Sequence, residues 1–503
     1  MNTDVDVQCA PISAGPFQRI KSRVATTLLG EGLRAKVFRG GVWLGTGLFT
    51  EQVVRFGRNM LLARLLAPAA FGTMAIVASA TSIIHTMMDI GVRDAVIQNP
   101  RGSEEEYVNA AWWMSMGRAA TFWTILCILA PWIAKFYGNP ELSPLFRVCA
   151  AGLLFDGAMS AKVYVAIKEM KFRKWAIINH VGGICGVLFT IALSYYVRDV
   201  WALVIGYAAE SAARSALSYV ICPFLPRLKW SKAATLDLWK FSKRMFGLSL
   251  LNLIFARTDI FVLAKLNTAA ELGLYTMAVY LVQTPVSFVM NLLGQTILPA
   301  FARVQEDKAR MNRILLQVTS AILLVGMPAI VFAFFCGRSL LTLAYGYRYG
   351  AASGPLIVAS AVALLNLLNG QITSVFFATG RPNLHRFCII VMASTMIVLI
   401  YPFVRQFGVI GGQFACLAAV SAGLMFQVFR VHRLTGLSLS NYGGIFLIAG
   451  TVSLSVVAVC LGSRSFALAT RPLPNVIMGI GGCLLAYAVS AAVFLRRREK
   501  FAF

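Results

Sequence analysis

Apolar segments long enough to cross a lipid bilayer recur along most of this chain. They begin near residue 42 and continue to residue 495. A membrane-spanning helix needs about 20 mostly apolar residues. The composition agrees, because 58% of the residues are hydrophobic and 13% are charged, whereas soluble domains average about 45–50% and about 25%. The sequence therefore predicts an all-α, polytopic membrane protein.

Hydropathy separates these segments into individual helices, with turn residues such as "LAPAAFG" and "YGNPELSP" between them. Fourteen spans are predicted, at residues 42–66, 71–91, 108–133, 145–166, 176–197, 201–222, 246–264, 273–298, 314–336, 354–378, 387–404, 410–430, 443–462 and 475–495.

The lysine and arginine residues predict the orientation of the helices. Most of them lie in alternate loops and in the two terminal segments, and few lie in the loops of the opposite side. Cytosolic loops carry this excess in membrane proteins, so both termini are predicted to be cytosolic. The net charge of +26 then reflects topology, and no nucleic-acid partner is expected. The basic segment before the first span lacks the apolar region of a cleaved signal peptide.

An internal repeat predicts how the spans are grouped. The segment "LARLLAPAAFG" (62–72) resembles "LAKLNTAAELG" (263–273) at a constant offset of 201 residues. Six spans separate the copies, so both have the same orientation. Two six-helix lobes plus two C-terminal helices are therefore expected. The predicted division is a cytosolic basic N-terminal tail at 1–40, an N-lobe at 41–222, a cytosolic basic linker at 223–245, a C-lobe at 246–435, and the last two spans with a basic C-terminal tail at 436–503.

Charged residues inside the predicted spans are the candidate functional residues. A charge at the bilayer centre costs roughly 3 kcal/mol, and the first span alone contains Glu51, Arg55 and Arg58. The basic residues within spans are Arg55, Arg58, Arg118, Lys162, Arg214 and Arg257. The clear acidic ones are Glu51, Asp156, Glu210 and Asp259. After residue 270 the spans contain neutral polar groups instead, namely Gln283, Asn291, Asn366, Asn369, Gln371, Gln413 and Gln427.

Two interpretations of these charges are open. Glu51 and Arg55 are four residues apart, as are Glu210 and Arg214, and this spacing suits ion pairs along a helix; His85 and Asp89 have the same spacing. Alternatively, charges at one depth line a hydrated chamber, where the excess of arginine favours an anionic ligand with phosphate oxygens. Asp259 is either a coupling-ion or proton site, or the partner of Arg58.

Signals of catalysis are weak in this sequence. The longest loop, 223–245, is too short for a soluble catalytic domain of about 50 residues. The 10 cysteines are scattered without metal-ligand spacing, and the acidic run "RGSEEEY" is best explained as a solvated start of a helix. No nucleotide-binding loop or nucleophile motif is recognised. We expect no enzyme activity, no cofactor and no bound metal.

Several stretches resemble Wzx-type polysaccharide flippases of the multidrug/oligosaccharidyl-lipid/polysaccharide exporter superfamily. The resemblance covers roughly residues 38–435, and it is carried by "RGGVWLGTG", "LLARLLAPAAFG", "DIGVRDAVIQ", "NAAWWMS", "AIKEMKFRKWA", "RTDIFVLAKLNTAAELGLYTMAVYLVQTP" and "ILPAFARV". It implies a bacterial inner-membrane protein that translocates undecaprenyl-diphosphate-linked oligosaccharide for exopolysaccharide or O-antigen (lipopolysaccharide) synthesis. The implied partners are that lipid-linked oligosaccharide, membrane lipid, and a polysaccharide polymerase with its export machinery.

The resemblance also implies roles for the charged residues. The family's basic cavity is held to bind the diphosphate and acidic sugars, and here that role falls on Arg55, Arg58, Arg118, Arg214 and Arg257. The implied candidates for ion or proton coupling are Glu51, Asp156, Glu210 and Asp259. Asn366 and Asn369 are expected to hydrogen-bond sugar hydroxyls or to pack between helices. The alternatives are a drug/cation antiporter of the same fold and a membrane-bound enzyme of lipid-linked sugar metabolism.

Overall fold

The computed structural model describes residues 50–89, 91–227, 231–465 and 472–498. Several predicted segments lie outside this range. They are the N-terminal tail at 1–40, the start of the first span with the motif "RGGVWLGTG", linker residues 228–230 and the last residues of the C-terminal tail. So does the side chain of Asp89.

The described chain is built from helices, turns and loops, and no strand occurs in these residues. The helices are α1 at 50–65, α2 Pro68–Asp89, α3 Val92–Gln98, α4 Glu105–Tyr137, α5 Leu142–Gly157, α6 Lys162–Lys168, α7 Phe172–Val197, α8 Val200–Ile221, α9 Lys232–Leu266, α10 Ala269–Ala302, α11 Lys308–Tyr345, α12 Ser353–Ala378, α13 Pro382–Phe407, α14 Val409–Thr435, α15 Leu439–Ser465 and α16 Pro472–Arg498. Short 3₁₀ helices, Pro100–Ser103 and Tyr347–Ala352, precede α4 and α12.

Local signals set the helix ends. A capping box begins α10, because the Thr268 hydroxyl accepts from the Glu271 backbone N–H and the Glu271 carboxylate accepts from the Thr268 N–H. Gly138, at a φ of 70°, ends α4 in the left-handed conformation that glycine adopts without strain. The all-α prediction is confirmed for the described part of the chain.

Ten helices in the described residues are long and apolar enough to cross a membrane, or eleven if a bent pair is counted as one span. Each of the fourteen predicted spans overlaps helical residues, but α8 is not among the ten. Its sequence includes Glu210 and Arg214, which lower its hydropathy. Fourteen crossings remain a prediction.

The fourth predicted span is broken. The sequence predicts one helix over 145–166, but α5 ends at Gly157 and α6 continues at an angle of 58°. The Ala158 carbonyl at the break accepts from Trp112 Nε1 (3.2 Å) and from the Tyr219 hydroxyl (2.6 Å). The Ser160 hydroxyl donates to the Cys222 carbonyl at 2.7 Å. These bonds satisfy backbone groups that lipid leaves without partners.

The helices pack in two groups with a shared boundary. In the first group, α2, α4 and α8 pack around α5, and α7 packs on α8. In the second group, α10, α11 and α14 pack on α12, and α13 packs on α14. Helices α15 and α16 pack on each other and on α11. The boundary is formed by α2 against α9 and α10, and by α4 against α9. We call residues 50–227 the first half and residues 231–435 the second half.

The repeated segments meet at this boundary. A Cβ placed on Gly72 would lie 2.8 Å from the Ala269 carbonyl carbon, and one on Gly273 would lie 2.7 Å from that of Pro68. The contacts are reciprocal, because Pro68 and Gly72 correspond to Ala269 and Gly273 at the offset of the sequence repeat. Glycine is therefore required on both helices for them to cross at this distance.

Candidate functional site

A network of charged side chains joins α1, α7 and α8 in the first half. Arg55 Nε lies 3.0 Å from Glu51 Oε1, and Arg55 Nη2 also donates to Glu210 Oε1. Arg214 Nη2 lies 2.7 Å from Glu210 Oε1 and 3.4 Å from Glu51 Oε1. His180 Nδ1 lies 3.0 Å from Glu51 Oε2. We call these five residues the ion network.

Glycines of α7 make the ion network geometrically possible. A Cβ on Gly186 would lie 2.8 Å from the Glu210 Cα, and one on Gly182 would lie 3.1 Å from the Arg214 Cα. A Cβ on Gly183 would come within 3.8 Å of Arg214, Glu51 and Arg55 polar atoms. The "GGICG" sequence therefore lets α7 pack directly on α8 beside the charges.

The charges of the ion network balance within it. Two carboxylates face two guanidinium groups, and all four are largely shielded from solvent. Removing one partner from a buried ion pair costs about 3–5 kcal/mol, because the other charge remains buried. The structure thus brings together four of the predicted site residues, and it forms both pairs with the four-residue spacing. The ion network stabilises the packing of three helices in the first half.

Asp156 lies in a separate contact of the first half. His85 Nε2 is 3.4 Å from Asp156 Oδ2, and the Ser211 hydroxyl donates to the same oxygen at 3.3 Å. This contact links α2, α5 and α8. The spacing of His85 and Asp89 suits an ion pair, which is not tested because the Asp89 side chain lies outside the described residues; His85 meets Asp156 because α5 brings this carboxylate alongside α2.

A cavity of 480 Å³ lies between the halves. Its walls come from α2, α9, α10, α12, α13 and α14, so both halves contribute. Its polar lining residues are Ser79, Arg257, Asp259, Tyr275, Thr276, Tyr280, Gln283, Asn366 and Gln413. Arg257 is nine residues from the end of α9, which places it about 13 Å along the helix from that end, near the middle of a bilayer core of about 30 Å.

Asp259 belongs to a chain of hydrogen bonds in the cavity wall. The Tyr275 hydroxyl donates to Asp259 Oδ2 at 2.6 Å, and Gln413 Nε2 donates to the Tyr275 oxygen at 2.8 Å. The remaining oxygens, Asp259 Oδ1 and Gln413 Oε1, are buried and accept no hydrogen bond among the described residues. No ion pair joins Asp259 to Arg58 within this part of the chain.

Two predicted arginines have no carboxylate within 4 Å in the described ranges. Arg257 lines the cavity, and its Nε makes no hydrogen bond there. Arg58 Nε donates to Asn59 Oδ1 at 3.1 Å. Arg58 is not in the cavity lining, but it interacts electrostatically with Arg55 and Glu210 of the ion network and with the cavity-lining residue Tyr280. The predicted residue Arg118 lies on α4 and is not part of the cavity lining.

The two predicted asparagines of α12 have different positions. Asn366 lines the cavity. Asn369 is buried against α14, where its Nδ2 donates to the Val420 carbonyl at 3.3 Å. Tyr275 and Tyr280 are not among the site residues predicted from the sequence. A tyrosine in a membrane helix carries no local signal that distinguishes a cavity position from a packing position.

Contacts at one end of the bundle close the boundary between the halves. The charge distribution predicts this end, which holds the α1–α2 and α9–α10 loops, to be the outer one. Arg64 Nη2 donates to the Leu343 carbonyl at the end of α11 (2.8 Å), and Lys265 Nζ donates to the Phe136 carbonyl at the end of α4. Arg64 and Lys265 correspond in the repeat, and each reaches across to the opposite half. We call these two contacts the outer closure.

No group of three or more His, Cys, Asp or Glu side chains suited to hold a metal occurs in the residues that the structure covers. The site is instead a polar cavity between two halves of a helical bundle, closed at one end. This architecture is typical of membrane transport proteins.

Comparisons with known proteins agree with this class. A family model described as "Polysaccharide biosynthesis protein" matches residues 61–353, which is more than half of the chain. The chain belongs to this family. It is 22% identical to lipopolysaccharide biosynthesis protein WzxC of Escherichia coli (strain K12), covering 70% of this chain and 72% of that one. It is 22% identical to teichuronic acid biosynthesis protein TuaB of Bacillus subtilis (strain 168), covering 69% and 72%.

A solved structure supports the fold. The lipid II flippase MurJ in an inward closed conformation matches with a TM-score of 0.74 and 12% identity, covering 90% of this chain and 98% of that one. The predicted resemblance to Wzx-type flippases is confirmed. The protein is a multi-pass membrane protein of a bacterial family.

Proposed function

We propose that this protein translocates undecaprenyl-diphosphate-linked oligosaccharide across the bacterial inner membrane for the synthesis of an exopolysaccharide or O-antigen. The family, the relatives in polysaccharide biosynthesis and the flippase fold support this proposal. A diphosphate and its sugars cannot enter hydrocarbon without their hydration, so the protein must supply a polar route while the lipid tail stays in the bilayer.

The observation that carries the proposal is the cavity with Arg257 in its wall. The guanidinium group of Arg257 lies near mid-membrane without a carboxylate partner among the described residues. Arg257 is partly buried and interacts electrostatically with Asp259, and a bound diphosphate would add bidentate hydrogen bonds to its guanidinium group. Arg58 is the second diphosphate ligand in this proposal, because it has no carboxylate within 4 Å among the described residues and interacts electrostatically with the cavity residue Tyr280 as well as with Arg55 and Glu210.

Arg55 and Arg214 have a positioning role in this proposal. Their charges are satisfied by Glu51 and Glu210, so they hold α1 and α8 in place and contact no substrate. Asp259 is the coupling residue, because one of its oxygens is unpartnered among the described residues and its carboxylate lines the substrate cavity. Binding of a proton or cation at Asp259 changes the charge of the wall beside Arg257.

The transport cycle follows from the boundary between the halves. Two six-helix lobes and two additional helices, crossing the membrane fourteen times with both termini in the cytosol, rock about the cavity. The outer closure seals the cavity from the periplasm while substrate enters from the cytosol, and it separates to release the substrate outward. A polymerase and export machinery then receive the oligosaccharide.

The test uses purified protein in liposomes that contain fluorescent undecaprenyl-diphosphate-linked oligosaccharide. Arg257→Gln is expected to reduce translocation at least about tenfold, since a hydrogen-bonded charge pair contributes about 1.5–3 kcal/mol. Arg386→Gln, an exposed residue near the start of α13, is the matched control and should translocate normally. Wild-type activity in the folded Arg257→Gln variant would exclude Arg257 as a substrate ligand.

A further inference from the structure

One face of α10 continues the polar lining of the cavity along the helix. Thr276, Tyr280 and Gln283 line the cavity, and these positions share one face of a helix with 3.6 residues per turn. The next positions on that face are Ser287, Asn291 and Gly294. We call these six residues the α10 polar face. Its polar members extend over about 22 Å from Thr276 to Asn291 at 1.5 Å per residue.

The opposite side of the same helix has a different character. Leu281, Val282, Pro285 and Val286 line an apolar cleft of 230 Å³ between α10, α11 and α12. Polar and apolar residues are thus separated on α10, and the polar ones follow the cavity. This separation indicates that the polar residues face an aqueous space.

Open space lies beside the α10 polar face beyond the cavity. Asn291 and Gly294 are exposed, and a Cβ added to Gly294 would meet no atom within 4 Å. Amide groups in hydrocarbon carry a large cost when they lack hydrogen-bond partners. An aqueous space or a polar ligand beside Asn291 would satisfy its exposed amide group.

The unpartnered groups on this surface are neutral amides. Gln283, Asn291 and the facing Asn366 make no hydrogen bond among the residues that the structure describes. Each amide offers two donor hydrogens and one acceptor oxygen. Sugar hydroxyls both donate and accept, and so match this pattern, whereas phosphate oxygens only accept and match arginine better.

We infer that Gln283, Asn291 and Asn366 form the subsite for the uncharged sugar residues of the substrate, next to the diphosphate subsite at Arg257. This inference rests on the proposed function and adds the residues that bind the sugar portion of the substrate. The glycan lies along the α10 polar face, where its hydroxyl groups replace water on the amides. Arginine binds the charged diphosphate of the ligand, and the neutral amides of the second half bind its sugar portion.

The experiment compares two probes on purified protein in detergent. One is undecaprenyl diphosphate, and the other is undecaprenyl diphosphate linked to a neutral hexose trisaccharide. Asn291→Leu and Gln283→Leu are expected to weaken binding of the glycosylated probe about 2- to 10-fold each, the equivalent of one hydrogen bond of about 0.5–1.5 kcal/mol. Binding of undecaprenyl diphosphate should be unchanged. Asn291→Ser, which is smaller and polar, provides a second variant should leucine impair folding.

Val289→Leu is the matched control, because Val289 is an exposed residue of α10 away from the polar face. It should bind both probes as the wild type does. Equal weakening of both probes by Asn291→Leu and Asn291→Ser, or no weakening of either, would overturn the glycan subsite and leave the proposed function intact. Failure of the wild type to bind either probe would instead overturn the proposed function itself.

Discussion

The crossing of α2 and α10 at Gly72 and Gly273 predicts a substitution that opens the cavity outward. An alanine at position 72 would place its Cβ 2.8 Å from both the Ala269 carbonyl carbon and the Gly273 nitrogen. Carbon atoms in van der Waals contact lie about 3.5–4.0 Å apart, and the Ala269 carbonyl oxygen lies closer still to the added Cβ, so the helices must separate by more than about 1 Å. Both clashing groups are backbone, and no side-chain rotation relieves them.

The cost of this clash sets the expected effect. Overpacking costs about 1–3 kcal/mol, which corresponds to a population shift of about 5- to 150-fold. In the proposed cycle the clash exists only while the outer end is closed. Gly72→Ala and Gly273→Ala should therefore each shift the protein by this factor toward the state that is open to the periplasm.

Cys416 provides the assay, because it lines the cavity. The assay uses a variant in which Cys416 is the sole cysteine. The rate at which Cys416 reacts with a membrane-impermeant maleimide added outside the cells measures how far the cavity opens outward. The labelling rate should rise about 5- to 150-fold in each glycine variant. Gly294→Ala is the control, since its Cβ meets no atom within 4 Å. Unchanged labelling of a folded, membrane-inserted Gly72→Ala protein would refute the assignment of this crossing to the closed state.

Two further predictions concern charged contacts. Glu210→Gln leaves Arg55 and Arg214 with one carboxylate between them, so the free energy of unfolding should fall by about 3–5 kcal/mol. A thermal unfolding midpoint equal to that of the wild type would contradict this prediction. Lys265→Met removes one of the two hydrogen bonds of the outer closure and should raise outside labelling of Cys416 about 2- to 10-fold. Lys308→Met, in the first turn of α11, is its control, and equal labelling in both variants would contradict the role of Lys265.

The sequence predicts features that depend on short separations along the chain. Helix positions follow from apolar length, and the Glu51–Arg55 and Glu210–Arg214 pairs follow from their spacing. The repeat offset also anticipates that Gly72 and Gly273 occupy equivalent positions. These features need no knowledge of how distant helices pack.

Features that depend on tertiary packing could not be predicted in the same way. Arg55 bonds Glu210 across 155 residues, and this contact exists because the glycine face of α7 lets α8 approach. The bond from Tyr275 to Asp259 requires α9 and α10 to be adjacent. The break after Gly157 is fixed by Trp112 and Tyr219, which belong to other helices. A hydropathy profile contains none of these partners.

The uneven distribution of charge between the halves has a mechanical consequence. The ion network joins α1, α7 and α8, and separating any of its pairs in a low-dielectric interior would cost several kcal/mol. A motion that disrupted it would therefore be slow, so the first half moves as a rigid unit. The boundary between the halves contains two exposed hydrogen bonds of the outer closure, close backbone packing at two glycines, and buried apolar side chains from both halves. None of these contacts requires two buried charges to separate, so in the proposed cycle the motion occurs at the boundary that contains the cavity. A ligand that binds Arg257 of the second half and Arg58 of the first half then bridges the two moving parts.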